Sequence, residues 1–366
     1  RRGGAWVAAG GVATAAAVAG LSGGSAVLFR PLNGIVPLLA FLLFLFLAWS
    51  VTCGDHALLP VLVLVGSLVV QAEIEYLGSV VVFTVLATGG LVLQYRRGVV
   101  STAEARRAAV LSGLAVLVCW ALPAFEALSN GGGNFLAILR LMYLPDLDLT
   151  GWSFARAALL SVPMIALVLF VPFSKGHLLP LGYLIGFVVA GALVWQVLAA
   201  RRARDVTSMT LLVLGSVGLA TGAFSVSRIP RAEGFDYSHV LLLVPLAAFF
   251  WFGLVVALVR WWHRSRPSPM RGTRRVLVLV ATMALLGAVS TASSVILDEK
   301  VQMEPWIYEA VPSLDHQLEA TVPRGTTVVM VSSGGRHYRA LLNGLIGALE
   351  ARGVRTQTET LANYWG

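Results

Sequence analysis

Long apolar runs recur along this chain, and they constrain its fold more than any other feature. About nine of them approach or exceed the roughly 20 residues that an α-helix needs to cross a bilayer. They are Ala5–Leu21, Gly34–Gly54, Ala57–Val70, Tyr76–Gln94, Ala108–Phe125, Leu179–Ala199, Ser208–Val226, Val240–Arg260 and Val276–Leu297. Only 12% of the residues are charged, about half the share in a soluble domain. The runs therefore predict an α-helical polytopic membrane protein with about nine transmembrane helices, and they exclude a water-soluble enzyme.

Arginine is concentrated before the first run and in the loops that follow the fourth, sixth and eighth runs. The clusters are Arg1 and Arg2; Arg96, Arg97, Arg106 and Arg107; Arg201, Arg202 and Arg204; and Arg260, Arg264, Arg266, Arg271, Arg274 and Arg275. Short cytoplasmic loops carry an excess of Lys and Arg, and all these clusters fall on one side if a tenth run, Phe154–Phe173, does not cross. We therefore expect a multi-pass protein of the plasma (inner) membrane, with the N-terminus of this chain cytoplasmic and its C-terminus extracytoplasmic. The net charge of +9 then reports orientation, and no nucleic-acid partner is expected.

The membrane domain has two acids at the outer end of a run. This domain is predicted to span residues 1–297, with outer loops at 24–33, 71–76, 126–178 and 227–239. Glu73 and Glu75 lie in the second loop, where alternate spacing in an extended segment points both carboxylates the same way. Acids at the end of a span are costly unless they face water or a partner. Two interpretations stay open: solvated loop acids, or a wet cavity in which one acid pairs with Arg30, Arg140 or Arg228.

The third and fourth outer loops carry further candidate ligand-binding residues. Glu126 directly follows an apolar run, and it either ends the helix or faces the same cavity. Three glycines precede Asn134, and glycine lets the backbone approach a ligand closely. Arg140 and Arg228 are candidates for contact with an anion.

The sequence offers one candidate site for a divalent cation. Asp146 and Asp148 lie two residues apart in the third outer loop, and paired carboxylates hold hard cations beside phosphates. The alternative is a pair of solvated acids. The histidines and cysteines show no zinc spacing, so no residue is assigned as a metal ligand.

The composition changes at Asp298 to that of a soluble segment. Thr326–Ser332 and Val354–Thr360 are rich in β-branched residues, and His337–Arg352 has apolar residues at helical spacing. We predict a small extracytoplasmic α/β segment over 298–366, built on a β-α-β unit. Its two strands make a thin core, so we expect the segment to be incomplete.

Three stretches of the chain together resemble a known family. They are Arg30-Pro31-Leu32-Asn33, Gly66-Ser67-Leu68-Val69-Val70-Gln71-Ala72-Glu73-Ile74-Glu75-Tyr76 and Cys119-Trp120-Ala121-Leu122-Pro123-Ala124-Phe125-Glu126-Ala127-Leu128-Ser129-Asn130-Gly131-Gly132-Gly133-Asn134-Phe135. They resemble the later part of actinobacterial polytopic membrane glycosyltransferases with the GT-C fold. The chain departs from those relatives at Glu73, where they often carry His, and at Pro123, where they carry Pro-Pro.

The resemblance implies a transferase of cell-envelope biosynthesis. It would move a hexosyl or pentosyl group, with inversion, from a polyprenyl-phosphate donor to an extracytoplasmic glycan or lipid acceptor. The family's catalytic acid lies in its first outer loop, which we expect upstream of Arg1. The chain is therefore not expected to be active alone, and Glu73 and Glu75 are the candidate acids within it. The resemblance places Arg30, Gln71, Tyr76, Glu126, Asn134, Arg140, Arg228 and Tyr237 on the substrate cavity. Arg140 or Arg228 would neutralise the leaving phosphate.

Two other classes of membrane protein stay open. A transporter or flippase for a lipid-linked or small polar substrate is the main alternative. Transporters usually show internal repeats and polar groups at mid-membrane depth, whereas the centres of these runs are almost free of ionisable residues. A non-catalytic scaffold that displays the tail is the third class.

Overall fold

The chain folds as two compact units, Arg1–Leu297 and Asp298–Gly366. The computed structural model describes residues 10–12, 14, 15, 18, 36–129, 179–227, 241–265, 305–332 and 336–360. The boundary between the units coincides with the change in composition at Asp298. The run Val276–Leu297, the ambiguous run Phe154–Phe173 and most of Ala5–Leu21 lie outside the described residues.

Helices occupy seven of the predicted runs within the described part of the first unit. They are α1 (Pro37–Thr52), α2 (Leu59–Ala72), α3 (Leu77–Arg96), α4 (Thr102–Ser129), α5 (Leu179–Arg202), α6 (Val206–Ser227) and α7 (Leu243–Ser265). Four helical segments there are long and apolar enough to cross a membrane: Ile74–Arg96, Thr102–Ser129, Val206–Ser225 and Leu243–Trp262. These helices agree with the predicted class of helical membrane protein, while the count of about nine spans and the GT-C fold stay predictions.

Successive helices run in opposite directions, so the bundle has two distinct ends. At one end, the indole Nε1 of Trp49 in α1 donates to the carbonyl of Thr207 at the start of α6, at 3.4 Å. At the other end, the hydroxyl of Ser225 in α6 donates to the carbonyl of Glu75 just before α3, at 3.2 Å. We call the end at Thr207 the arginine end and the end at Glu75 the acidic end.

The arginine clusters of the described helices lie together at the arginine end. Arg96 ends α3, Arg202 ends α5 and Arg264 lies in the last turn of α7. Their convergence agrees with the sidedness predicted from the loop charges. Helix α4 finishes at the acidic end and α5 begins there. The described residues on either side of 130–178 therefore lie at the same end of the bundle.

Aromatic side chains and a glycine bring α1, α2 and α3 into close contact. The buried rings of Phe44 and Phe83 lie 6.4 Å apart, edge to face. A Cβ at Gly66 of α2 would lie 2.9 Å from the ring of Phe44. Small residues let helix backbones approach in a membrane, where lipid is as apolar as the side chains. This packing fixes α2 and α3, and with them the turn that joins the two.

The described residues 305–332 and 336–360 of the second unit form a short parallel sheet and two helices. Its elements are α8 (Pro305–Thr321), β1 (Thr327–Ser332), α9 (Arg336–Ala351) and β2 (Arg355–Thr360). The strands pair in parallel, with Thr327 opposite Arg355, which confirms the predicted β-α-β unit. Helix α8 was not predicted from the sequence. It packs on α9, where Asp315 forms an ion pair with Arg352 at 2.7 Å.

Candidate functional site at the acidic end

The turn between α2 and α3 places two carboxylates at the acidic end. Glu73 caps α2 in an extended conformation, with φ −155° and ψ 114°, and its amide donates to the carbonyl of Val69 at 3.0 Å. Ile74–Tyr76 then forms a single 3₁₀ turn before α3 begins. The expectation of an extended Glu73–Glu75 segment is therefore wrong beyond Glu73. Because the 3₁₀ turn rotates the chain, Glu73 is half-buried while Glu75 is buried.

Glu75 and Tyr76 are both enclosed by the bundle. Glu75 is 8% exposed and Tyr76 is 1% exposed. The ring of Tyr76 meets Phe41 edge to face, with ring centroids 4.7 Å apart. Its hydroxyl is buried and has no hydrogen-bond partner among the described residues. A buried polar group without a partner costs free energy, so this hydroxyl is a candidate donor to a ligand.

Further polar contacts continue from this turn into the α3–α6 interface. The hydroxyl of Ser225 donates to the Glu75 carbonyl, and one turn deeper the hydroxyl of Ser79 donates to that of Thr221 at 3.0 Å. Interhelical hydrogen bonds of this kind hold membrane helices in register. They fix Glu75 and Tyr76 relative to α6.

Gln71 satisfies a backbone carbonyl that Pro123 leaves without a helical partner. In an α-helix, the amide of residue 123 would donate to the carbonyl of residue 119, but proline has no N–H. The side-chain amide of Gln71 donates to the carbonyl of Cys119 at 2.7 Å instead. One turn earlier on α2, Ser67 accepts from the indole of Trp120 at 3.0 Å. These two bonds join α2 to α4, so Gln71 has a structural role beside its predicted substrate contact.

Gln71→Leu is expected to lower the free energy of unfolding by about 1 kcal/mol, the usual value of such a bond. In a Pro123→Ala background the loss should be near zero, because the amide of residue 123 then bonds to the Cys119 carbonyl. SDS titration of the four proteins of this double-mutant cycle in mixed micelles measures the coupling. An equal cost of Gln71→Leu in both backgrounds would contradict the assignment.

The remaining predicted site residues divide between the described and undescribed parts of the chain. Glu126, expected at the start of the third outer loop, instead lies in the last turns of α4, which continues to Ser129, and it is half-buried. The structure thus places Glu73, Glu75 and Tyr76 in one turn, directly after the last turn of α2, which carries Gln71. Arg30, Asn134, Arg140, Arg228 and Tyr237, like Asp146 and Asp148, lie outside the described residues. Within those described, no group of three or more His, Cys, Asp or Glu residues is placed to hold a metal ion.

A second polar cluster, centred on Asp205 at the arginine end, was not foreseen from the sequence. The Asp205 side chain is 3% exposed and receives a bidentate pair from Arg260, at 2.9 and 3.1 Å. Arg264 donates to it as well, and the amide and hydroxyl of Ser208 donate at 3.2 and 2.7 Å. The Asp205-x-x-Ser208 spacing at the start of α6 is typical of a helix N-cap and is the signal that identifies it. Its arginine partners carry no such local signal.

The hydrogen bonds to Asp205 keep it ionised. Burial by itself raises the pKa of this carboxyl. The bonds from Ser208, Arg260 and Arg264 outweigh burial and lower the pKa to about 2. The cluster therefore carries one fixed negative charge between two guanidinium groups at neutral pH.

Comparisons with protein-family models, with curated proteins and with solved structures each found no match. The geometry of the acidic end therefore carries the functional argument.

Proposed function

We propose that this chain belongs to a membrane glycosyltransferase that uses the acidic end as part of its substrate cavity. The observation that carries the proposal is the turn in which two carboxylates, Glu73 and Glu75, precede Tyr76, whose buried hydroxyl has no hydrogen-bond partner among the described residues. The donor would be a polyprenyl-phosphate sugar, and the acceptor an extracytoplasmic glycan or lipid of the cell envelope.

The proposed reaction needs a base and a group that orients the acceptor. The acceptor hydroxyl oxygen bonds to the anomeric carbon while the bond from that carbon to the polyprenyl phosphate breaks. The acceptor proton passes to a carboxylate, for which Glu73 and Glu75 are the candidates in this chain. The Tyr76 hydroxyl would donate to a sugar oxygen that reaches it. A divalent cation beside the phosphate remains part of the proposal.

The orientation expected from the loop charges fits this arrangement. The arginine end carries the excess of positive charge that favours the cytoplasm, so we place the acidic end outside the plasma membrane. A lipid-linked donor diffuses in the same membrane and presents its sugar at that face. The turn lies at the ends of α2 and α3, where such a headgroup would reach it.

The experiment uses the longest natural form of the protein in proteoliposomes. Polyprenyl-phosphate mannose and polyprenyl-phosphate arabinose serve as hexosyl and pentosyl probes, with a cell-envelope glycan extract as acceptor. Glu73→Gln, Glu75→Gln and Tyr76→Phe are each expected to reduce transfer at least tenfold. The matched control is Glu104→Gln, which removes an acid at the arginine end and should leave transfer unchanged.

Three results would overturn the proposal. The first is absence of transfer by the unaltered protein with either probe, and the second is full transfer by all three variants. The third is sugar-lipid movement across the vesicle membrane without transfer to the acceptor, which would replace the proposal with a transporter or flippase. Thermal unfolding of each variant separates a lost reaction from a lost fold.

A further inference from the structure

The arginine end carries a concentrated positive surface built on α5, α6 and α7. The described residues 179–227 and 241–265 contain five arginines and one acid, Asp205. They are Arg201, Arg202, Arg204, Arg260 and Arg264. The first three and Arg264 are exposed. A single carboxylate leaves most of this charge uncompensated.

Asp205 orders two of these guanidinium groups without using up their donors. Each guanidinium has five N–H groups; Asp205 takes two from Arg260 and one from Arg264. The two side chains are 31% and 35% exposed, so part of each stays accessible to a second anion. A preordered guanidinium loses less conformational entropy when it binds an anion. The pair is therefore built to receive a second anionic group.

Tryptophans place this surface at the membrane–water boundary. Trp195 of α5 and Trp261 of α7 meet edge to face, with ring centroids 4.6 Å apart. Trp262, beside Arg260 and Arg264 in sequence, is 49% exposed. Tryptophan is enriched at the level of lipid headgroups. The arginines at the ends of α5 and α7 thus lie at the depth of the phosphates.

We propose that Arg260 and Arg264, held by Asp205, bind the headgroup phosphate of an anionic phospholipid, and that Arg201, Arg202 and Arg204 add to its attraction. Basic pockets between membrane helices on the cytoplasmic side are suited to anionic headgroups. Arginine matches phosphate oxygens with two parallel N–H groups. The site lies at the opposite end from the proposed transfer site, and it does not depend on that proposal.

The test counts lipids that stay bound to the full chain. The protein is reconstituted into nanodiscs with equal amounts of phosphatidylglycerol and phosphatidylcholine, extracted, and analysed by native mass spectrometry. Arg264→Gln and Arg202→Gln are each expected to weaken phosphatidylglycerol binding about fivefold. Arg264→Gln leaves the bidentate Asp205–Arg260 pair in place, and Arg202 is exposed, so both variants are expected to fold.

Arg106→Gln is the matched control, because Arg106 is an exposed arginine of the same end on α4, away from the cluster. It should retain phosphatidylglycerol like the unaltered protein. Equal loss in Arg106→Gln and Arg264→Gln would show a diffuse charge effect and overturn the site. Retention of phosphatidylcholine as strongly as phosphatidylglycerol, or unchanged lipid binding in Arg202→Gln and Arg264→Gln, would overturn it as well.

Discussion

Gly90→Ala is expected to lower the free energy of unfolding by about 2 kcal/mol, although alanine is the better helix former. A Cβ at Gly90 of α3 would lie 2.9 Å from the Cα and 3.0 Å from the carbonyl oxygen of Thr52 in α1. These are backbone atoms, so relief requires α1 and α3 to move apart. Overpacking of this kind costs about 1–3 kcal/mol. SDS titration in mixed micelles measures the change.

The neighbouring glycine provides the control. A Cβ at Gly89 would meet nothing within 4 Å, and glycine within a helix costs about 1 kcal/mol relative to alanine. Gly89→Ala should therefore raise the free energy of unfolding slightly. The two positions are adjacent in one helix, so the effect of helix propensity and the depth in the membrane are matched. The difference in stability between the two variants therefore isolates the contact with Thr52. Loss of stability in both variants, or in neither, would contradict the α1–α3 packing.

The helical bundle could be predicted from the sequence because each span is a local pattern. A run such as Tyr76–Gln94 must form its hydrogen bonds internally in lipid, and α3 occupies Leu77–Arg96. The arginine clusters then predict which helix ends lie at the same end of the bundle. This prediction uses only the charges of the loops and does not depend on how the helices pack. The same holds for β1, α9 and β2, because the spacing of apolar residues changes within a few residues from the pattern of a strand to that of a helix and back.

The candidate site was only partly predictable, because its geometry depends on contacts between distant segments. Alternate spacing treats Glu73 and Glu75 as equivalent, whereas the 3₁₀ turn and the packing of Tyr76 on Phe41 bury one more than the other. The partner of Gln71 is a carbonyl 48 residues away. A proline within an apolar helix predicts that the carbonyl four residues earlier lacks its helical partner. It does not predict which side chain donates to that carbonyl instead.

The Asp205 cluster shows the same limit more strongly. From the sequence alone, Asp205 is one acid that follows Arg204 in a basic loop, and it only lowers the net charge of that loop by one. The bidentate partner Arg260 lies 55 residues along the chain. Only the antiparallel packing of α6 on α7 brings the two together and turns a loop acid into the centre of an ion-pair cluster.

Asp205→Ala is expected to lower the free energy of unfolding by about 3 kcal/mol. The variant removes the N-cap of α6, worth about 1 kcal/mol, and leaves Arg260 and Arg264 without their carboxylate. Their exposure of about a third reduces the second cost below that of a fully buried pair. Asp205→Asn keeps the shape and the cap acceptor, so it should lose about 2 kcal/mol, the part that depends on charge. SDS titration at neutral pH measures both.

The pH dependence of the stability difference between the unaltered protein and Asp205→Asn separates the effect of the Asp205 charge from that of its shape. The pKa of Asp205 lies at about 2 in the folded protein, below its ordinary value of 3.8. Ionised Asp205 therefore stabilises the fold above about pH 4, and this contribution is lost as the pH falls through about 2. The stability difference between the unaltered protein and Asp205→Asn should stay constant from pH 7 to about 4 and shrink towards zero near pH 2. Other carboxylates titrate equally in both proteins and cancel in the difference. A difference that stays unchanged down to pH 2 would mean that the carboxylate charge does not hold Arg260 and Arg264.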